Sequence, residues 1–252
     1  MTAAGHASPL VVVHSDAQAV ADDAGVRLLL ALIDAQAARG VAHVVLTGGR
    51  LGSALLASAA ASPLLDLVDW SRVHLWWGDE RYQPAGDPNR NDTQNGAALL
   101  DRLLLDGRLR PEHVHRVAGP DTSADATASA AAYEATVQAY GGEWDVVLLG
   151  MGPDGHVASL FPHHPAQRLT GAFAVPVHDS PKPPPDRVSL TFDCLLRSRE
   201  VWVVVAGGDK AAAVCRALTP GADRWEVPAA GVRGRESTMW LLDVAAAQEV
   251  GR

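Results

Sequence analysis

Apolar positions along the chain fall into two alternating kinds of run. Short aliphatic stretches end abruptly in glycine or polar clusters, and longer alanine-rich stretches with a polar face follow them. The short runs at 9–15 (PLVVVHS), 42–49 (AHVVLTGG), 73–80 (VHLWWGDE), 144–150 (WDVVLLG), 201–208 (VWVVVAGG) and 239–244 (MWLLDV) predict strands, with further strands over 172–178 and 187–192. The run at 144–150 has almost no polar alternation, as expected of a strand covered on both faces. Helices are predicted over 17–40, closed by Gly40, over 53–61, stopped by Pro63, over 93–105 with Asp92 as cap, over 123–140 and over 210–218.

Strands that alternate with helices imply an α/β fold: a doubly wound, mostly parallel sheet with helices on both faces. No long linker, repeat or low-complexity block interrupts the 252 residues, so a single domain over 1–252 is expected, with 163–200 as a small excursion and PKPPP as a stiff surface loop. In such sheets the ligand crevice lies beyond the carboxyl ends of the strands. The residues that follow strands therefore carry the functional question.

Composition narrows the partners. The formal net charge of -8 disfavours general binding to nucleic acid or an anionic membrane surface, so an anionic ligand would be held by a local cluster of cations and backbone amides. No apolar run approaches the roughly 20 residues of a membrane span. The opening MTAAGHASPL has no basic end followed by an apolar stretch, and a cytoplasmic protein is expected, as a monomer or small homo-oligomer. Cys194 and Cys215 stand in no metal or disulfide pattern and read as buried or semi-buried thiols.

Four clusters follow strands. In LTGGR (46–50), Gly48 and Gly49 permit a sharp turn that brings N–H groups together near a helix start, a phosphate-type site without the GK[ST] of a Walker loop. In WWGDERYQP (76–84), Asp79, Glu80 and Arg81 end an aromatic strand, and Arg81 has the fork geometry that grips a phosphate with two hydrogen bonds; a solvated ion-pair cluster is the alternative. Late in the chain, Arg187 opens a strand and Lys210 stands in the first turn of a helix, as an anion contact or a solvated charge.

The fourth cluster is GMGPDGHVASLFP (150–162). It contains G-x-G-x-x-G after a strand, but Pro162 cuts the helix that a dinucleotide site needs, and the next acid, Asp179, precedes a proline-rich loop. What remains is a glycine loop presenting Asp154 and His156. An imidazole takes a proton from water near neutral pH, and a neighbouring carboxylate fixes its tautomer. Asp154 is the candidate orienting group, with capping of the following turn as its alternative. His163 and His164 lie at no familiar metal-ligand spacing from His156, and no metal is expected.

These pieces resemble the 6-phosphogluconolactonase family. GMGPDGHVASLFP is similar to its G-x-G-x-D-G-H-[TV]-A-S-L-F-P signature, WGDERYQP to its W-x-D-E-R-x-[VQ]-P segment, RNDTQ to the asparagine-bearing stretch beyond it, RVSLT to its R-[IV]-[ST]-[LM]-T strand, and GGDKAAAV to its G-x-x-K-x-x-x-[VL] segment. LTGGRLGSALL matches more loosely: Arg50, Leu51 and Gly52 occupy a span where the family often has serine or threonine and then proline. The resemblance implies a sheet of the glucosamine-phosphate deaminase/ribose-phosphate isomerase type and hydrolysis of 6-phospho-D-glucono-1,5-lactone to 6-phosphogluconate in the oxidative pentose phosphate pathway, with no cofactor. His156 would be the base and Asp154 its support. Gly48, Gly49, Arg81, Arg187 and Lys210 would share phosphate and oxyanion contacts, and Asp79 would hold sugar hydroxyls or Arg81. Asn91 enters as a hydroxyl or phosphate contact by resemblance only. Deaminases on the same fold carry an acid shortly after the DGH histidine, where this chain has Leu160 and Phe161. A sugar-phosphate sensor would be expected to have lost the histidine.

Overall fold

Each short aliphatic run becomes a strand because its alternate residues enter two different apolar layers. A computed structural model describes residues 8–251, so most of the opening segment read for a leader lies outside the described residues. Strands β1 (Leu10–His14), β2 (Ala42–Leu46), β3 (Val73–Trp77), β5 (Trp144–Gly150), β8 (Ser198–Val205) and β9 (Ser237–Asp243) form one six-stranded sheet in the order β1-β9-β8-β5-β2-β3, every pair parallel. On one face Val44, Leu46, Val146, Leu148, Trp202 and Val204 pack against α1 (Ala17–Arg39) and α2 (Gly49–Ala61). On the other, Val45, Val147, Leu149, Val201 and Val203 pack against α5 (Ala126–Ala139) and α7 (Ala211–Leu218). The expected parallel sheet with helices on both faces is the observed one. Asp16 caps α1 through its carboxylate, and Gly40 closes it with a left-handed φ of 79°.

Four expectations need correction. The stretch 73–80 is two strands. Gly78 donates its N–H to Leu46 in the main sheet, and its carbonyl accepts from Leu190, so the chain changes sheets at that residue. Beyond it β4 (Asp79–Arg81) joins β7 (Arg187–Leu190) and β6 (Ala174–Val177) in a separate antiparallel sheet, order β4-β7-β6. The helix expected over 93–105 begins earlier, as α3 (Asn91–Asn95), and runs through a π-helical turn (Gly96–Leu100) into α4 (Asp101–Leu105). Its cap is Glu80, which accepts from the N–H groups of Asn91 and Asp92, whereas Asp92 turns back to a bidentate pair with buried Arg90. The helix expected at 53–61 starts at Gly49, so the glycine turn is its first turn. The RVSLTF strand stops at Leu190, and α6 (Phe192–Leu195) follows, capped by the Thr191 hydroxyl.

Chain order sets the place of the crevice. From β2 the chain moves outward to β3 and then returns to β5 on the far side of β2. The switch point is therefore between β2 and β5, and there the Thr47 hydroxyl accepts from the Gly150 N–H at 3.2 Å.

Candidate active site

The segment after β5 is turned by its glycines. Gly155 has φ +88°, and a Cβ on Gly152 would lie 2.1 Å from the His156 ring. No helix follows; residues 151–160 make isolated bridges and turns, in keeping with the rejection of a dinucleotide loop. The turn folds His156 back on Asp154, with Nδ1 2.6 Å from Oδ1. A weaker contact of 3.5 Å runs from the His156 N–H to the same oxygen, so Asp154 both holds the ring and braces the turn. The Phe161 ring packs against the imidazole at 4.5 Å between centroids. His156 is 15% exposed at its side chain.

Lys182 completes this cluster, and the sequence reading did not single it out. Its Nζ lies 3.2 Å from Asp154 Oδ1 and 3.2 Å from His156 Nδ1. An ammonium donates only. If it donated to Nδ1, the short 2.6 Å contact would set two acceptors face to face. The consistent arrangement has Nδ1–H and Lys182 both donating to Asp154, which leaves Nε2 with its lone pair. Burial by itself would raise the Asp154 carboxyl, but the hydrogen bond from His156 and the ammonium of Lys182 outweigh it and hold the group well below the ordinary carboxylate range.

Arg187 positions the lysine. It is 4% exposed, and its Nη2 donates to the carbonyls of Lys182 and Pro183 while Nε donates to Pro184. Burial lowers its pKa, against the pull of nearby Asp79. Ser159, from the glycine-loop segment, donates to Asp79 at 2.6 Å and stands 3.5 Å from Arg187 Nη1. The buried trio Asp79–Ser159–Arg187 thus ties the glycine loop to the second sheet. Lys182 escaped notice because PKPPP reads as surface loop, and Ser159 because it is a small residue inside a longer signature.

Asn91 donates to the Asp79 carbonyl at 2.8 Å and side chain at 3.3 Å, and accepts from Arg81 Nη1 at 2.7 Å. Arg81 Nη1 also donates to the Asn89 carbonyl, while its buried Nε has no partner among the described residues. Glu80 accepts from the N–H of Arg81 as well as from those of Asn91 and Asp92, fixing both candidate ligands from behind; burial and neighbouring Asp92 raise its carboxyl to about 7. A Cβ on Gly48 would fall 1.8 Å from Asn91 Oδ1, so that glycine is the space Asn91 occupies. Gly49 differs from expectation: its N–H is already taken by Gln94 Oε1 at 3.0 Å and is not free for a ligand. Lys210 stands just past β8 and pairs with Asp209 at 3.1 Å, and Asp209 also feels the charge of Arg50. No hydrogen bond among the described residues joins Lys210 to His156, Arg81 or Asn91.

Two subsites result: an imidazole–carboxylate–ammonium cluster, and an amide–guanidinium cluster at Gly48, Asn91 and Arg81. Among the described residues no three His, Cys, Asp or Glu side chains converge as a metal site would require, and no helix is long and apolar enough to cross a membrane.

The fold and site define a doubly wound α/β protein with an imidazole–carboxylate–ammonium cluster and an amide–guanidinium cluster beyond the carboxyl ends of its strands. Residues 15–240 match the family model described as glucosamine-6-phosphate isomerases/6-phosphogluconolactonase, and the chain belongs to that family. It is 51% identical over 255 residues to the 6-phosphogluconolactonase of Streptomyces coelicolor, covering 97% of this chain and 96% of that protein. It is 45% identical to the 6-phosphogluconolactonase of Mycobacterium tuberculosis over 96% of this chain and 99% of the relative. The crystal structure of 6-phosphogluconolactonase from Leishmania guyanensis superposes with a TM-score of 0.81 at 26% identity, covering 98% of this chain and 100% of that one.

Proposed function

We propose that this protein hydrolyses 6-phospho-D-glucono-1,5-lactone to 6-phosphogluconate, as a cytoplasmic enzyme of the oxidative pentose phosphate pathway. The observation that carries the chemistry is the Asp154–His156 pair, 2.6 Å apart, with Nε2 left as the free basic edge. The names of the relatives at 51% and 45% identity supply the substrate.

Water attacks the lactone carbonyl carbon while Nε2 takes its proton. The carbonyl π pair moves to oxygen, giving a tetrahedral oxyanion. The oxyanion then collapses, the bond to the ring oxygen breaks, and the imidazolium returns the proton to that leaving oxygen. The products are a carboxyl group and a free hydroxyl. Asp154 holds the tautomer and stabilises the transient imidazolium, in the manner of a triad carboxylate. A positioned base contributes about 10²–10⁴-fold and preorganised donors for the oxyanion a similar factor. Lys182 lies 3.2 Å from Nδ1 and donates to Asp154, so it supports the carboxylate that orients the ring. Arg81, with Nε unpartnered, and Lys210 are the phosphate contacts in this reading, beside the Gly48 turn. Asn91 and Asp79 orient hydroxyls. Arg187 is spent on the Lys182 loop and acts through it.

The deaminase reading would need an acid near Leu160 and Phe161. These residues are 0% and 1% exposed and belong to the apolar core beneath His156. The test sets freshly made lactone, followed by acid release, against glucosamine-6-phosphate, followed by ammonia release. Lactone hydrolysis with no ammonia is expected; the reverse pattern overturns the proposal.

A further inference from the structure

The glycine loop that carries His156 is held from outside by a second turn, Asp223–Gly231, which joins α7 to β9. At one end of the loop, Ala229 donates its N–H to the Gly155 carbonyl at 2.9 Å. Val227, itself 4% exposed, fills the space behind Gly155: a Cβ there would fall 2.7 Å from Val227 Cγ1. At the other end, His163 donates its N–H to the Trp225 carbonyl at 3.1 Å. Gln167, 3% exposed, donates through Nε2 to the carbonyls of Phe161 at 2.6 Å and Trp225 at 3.3 Å.

The turn is rigid in its own right. Asp223 accepts from the N–H groups of Trp225, Glu226 and Val227, Arg168 lies over the Trp225 ring at 3.9 Å, and Arg224 lies over Phe192 at 4.7 Å. Phe161, which Gln167 holds by its carbonyl, is the residue whose ring packs on the imidazole. Both the backbone before His156 and the ring beneath it are therefore fixed against one external strut. The Asp154 contact sets the rotation of the imidazole but not its height, because Asp154 rides on the same loop.

We infer that the Asp223–Gly231 turn, with Gln167 and Val227 as positioning residues, sets the height of the His156 imidazole over the crevice. The catalytic consequence rests on His156 being the base. A misplacement of about 1 Å at a reacting group can cost about 10²-fold in rate.

The experiment uses Gln167→Leu and Val227→Ala, with Val20→Ala, buried in α1 on the opposite face of the sheet, as a control for general destabilisation. Three quantities are read: kcat and KM on the lactone, the thermal midpoint, and the His156 ring signals in a long-range proton–nitrogen spectrum. The expected result is a fall in kcat of at least about tenfold with KM within about twofold, altered His156 signals in both variants, and neither change in Val20→Ala at comparable loss of midpoint. Folded variants that keep parental kcat and His156 signals overturn the inference. So does a kcat loss that Val20→Ala reproduces. If Gln167→Leu does not fold, Val227→Ala, a loss of two methyl groups, decides alone. The spectrum needs no substrate: a parent protein inert on the lactone whose His156 signals still respond refutes the proposed activity and leaves the strut standing.

Discussion

Acid should unfold this protein through a stack of histidines at the end of the sheet remote from the crevice. His43 and His74 stand side by side near the starts of β2 and β3, with ring centroids 4.5 Å apart; His113 stacks on His74 at 3.9 Å, and His115 lies 3.7 Å from the Trp76 ring. His74 Nδ1 and His115 Nε2 are 2.9 Å apart, so one proton serves both, and a second would set two donors together. Burial and the neighbouring imidazoles push His74 down to about 3 and His115 down to about 4, from an ordinary value of 6.5. Arg110 adds to this at His113, while Glu112 at His113 and Asp145 at His43 oppose it. The folded-state values are depressed, so between pH 4 and 6.5 the unfolded chain binds protons that the fold refuses. Stability is full above about pH 6.5 and falls as pH drops. From pH 7 to pH 5 each of the two buried rings costs about 2 kcal/mol, roughly 4 kcal/mol together, a large part of a typical 5–15 kcal/mol. Urea unfolding at pH 7 and pH 5, in the parent and in His74→Phe, measures this. The parent should lose about 2 kcal/mol more than the variant over that interval. Equal losses would refute the reasoning.

Other expectations concern the site. Gly48→Ala puts a methyl group where Asn91 Oδ1 now lies and should raise KM about tenfold or more, with little change in far-ultraviolet circular dichroism; an unchanged KM removes Asn91 from the ligand site. Lys182→Met removes a positive charge 3.2 Å from the imidazole. Turnover should therefore fall about tenfold or more, because Asp154 loses one of its two side-chain donors and holds the ring less firmly. Parental turnover in a folded variant separates Lys182 from the base.

Legibility in the sequence followed the range of the forces involved. The parallel sheet was readable because both faces of β5 and β8 are buried and the runs are continuously apolar. The sheet change at Gly78 was not, since nothing local marks a residue whose N–H pairs with one sheet and whose carbonyl pairs with another. Asp92 has the composition of a cap, yet a buried guanidinium two residues earlier claims it, and Glu80, distant in sequence, does the capping. The post-strand rule led to Asp79, Arg81, Asp154 and His156, because strand ends point at the crevice, whereas Asn91 came from the family resemblance alone. It could not lead to Lys182, which arrives from a proline-rich loop folded over by Arg187, nor foresee that Gln94 occupies the Gly49 amide.

The central claim is that the His156 imidazole, oriented by Asp154, takes the proton from the attacking water. His156→Ala tests it most directly, with lactone turnover and 6-phosphogluconate affinity measured on the same preparation. Turnover should fall about 10²-fold or more while product affinity changes only a few-fold. Parental turnover in a folded His156→Ala protein would contradict it.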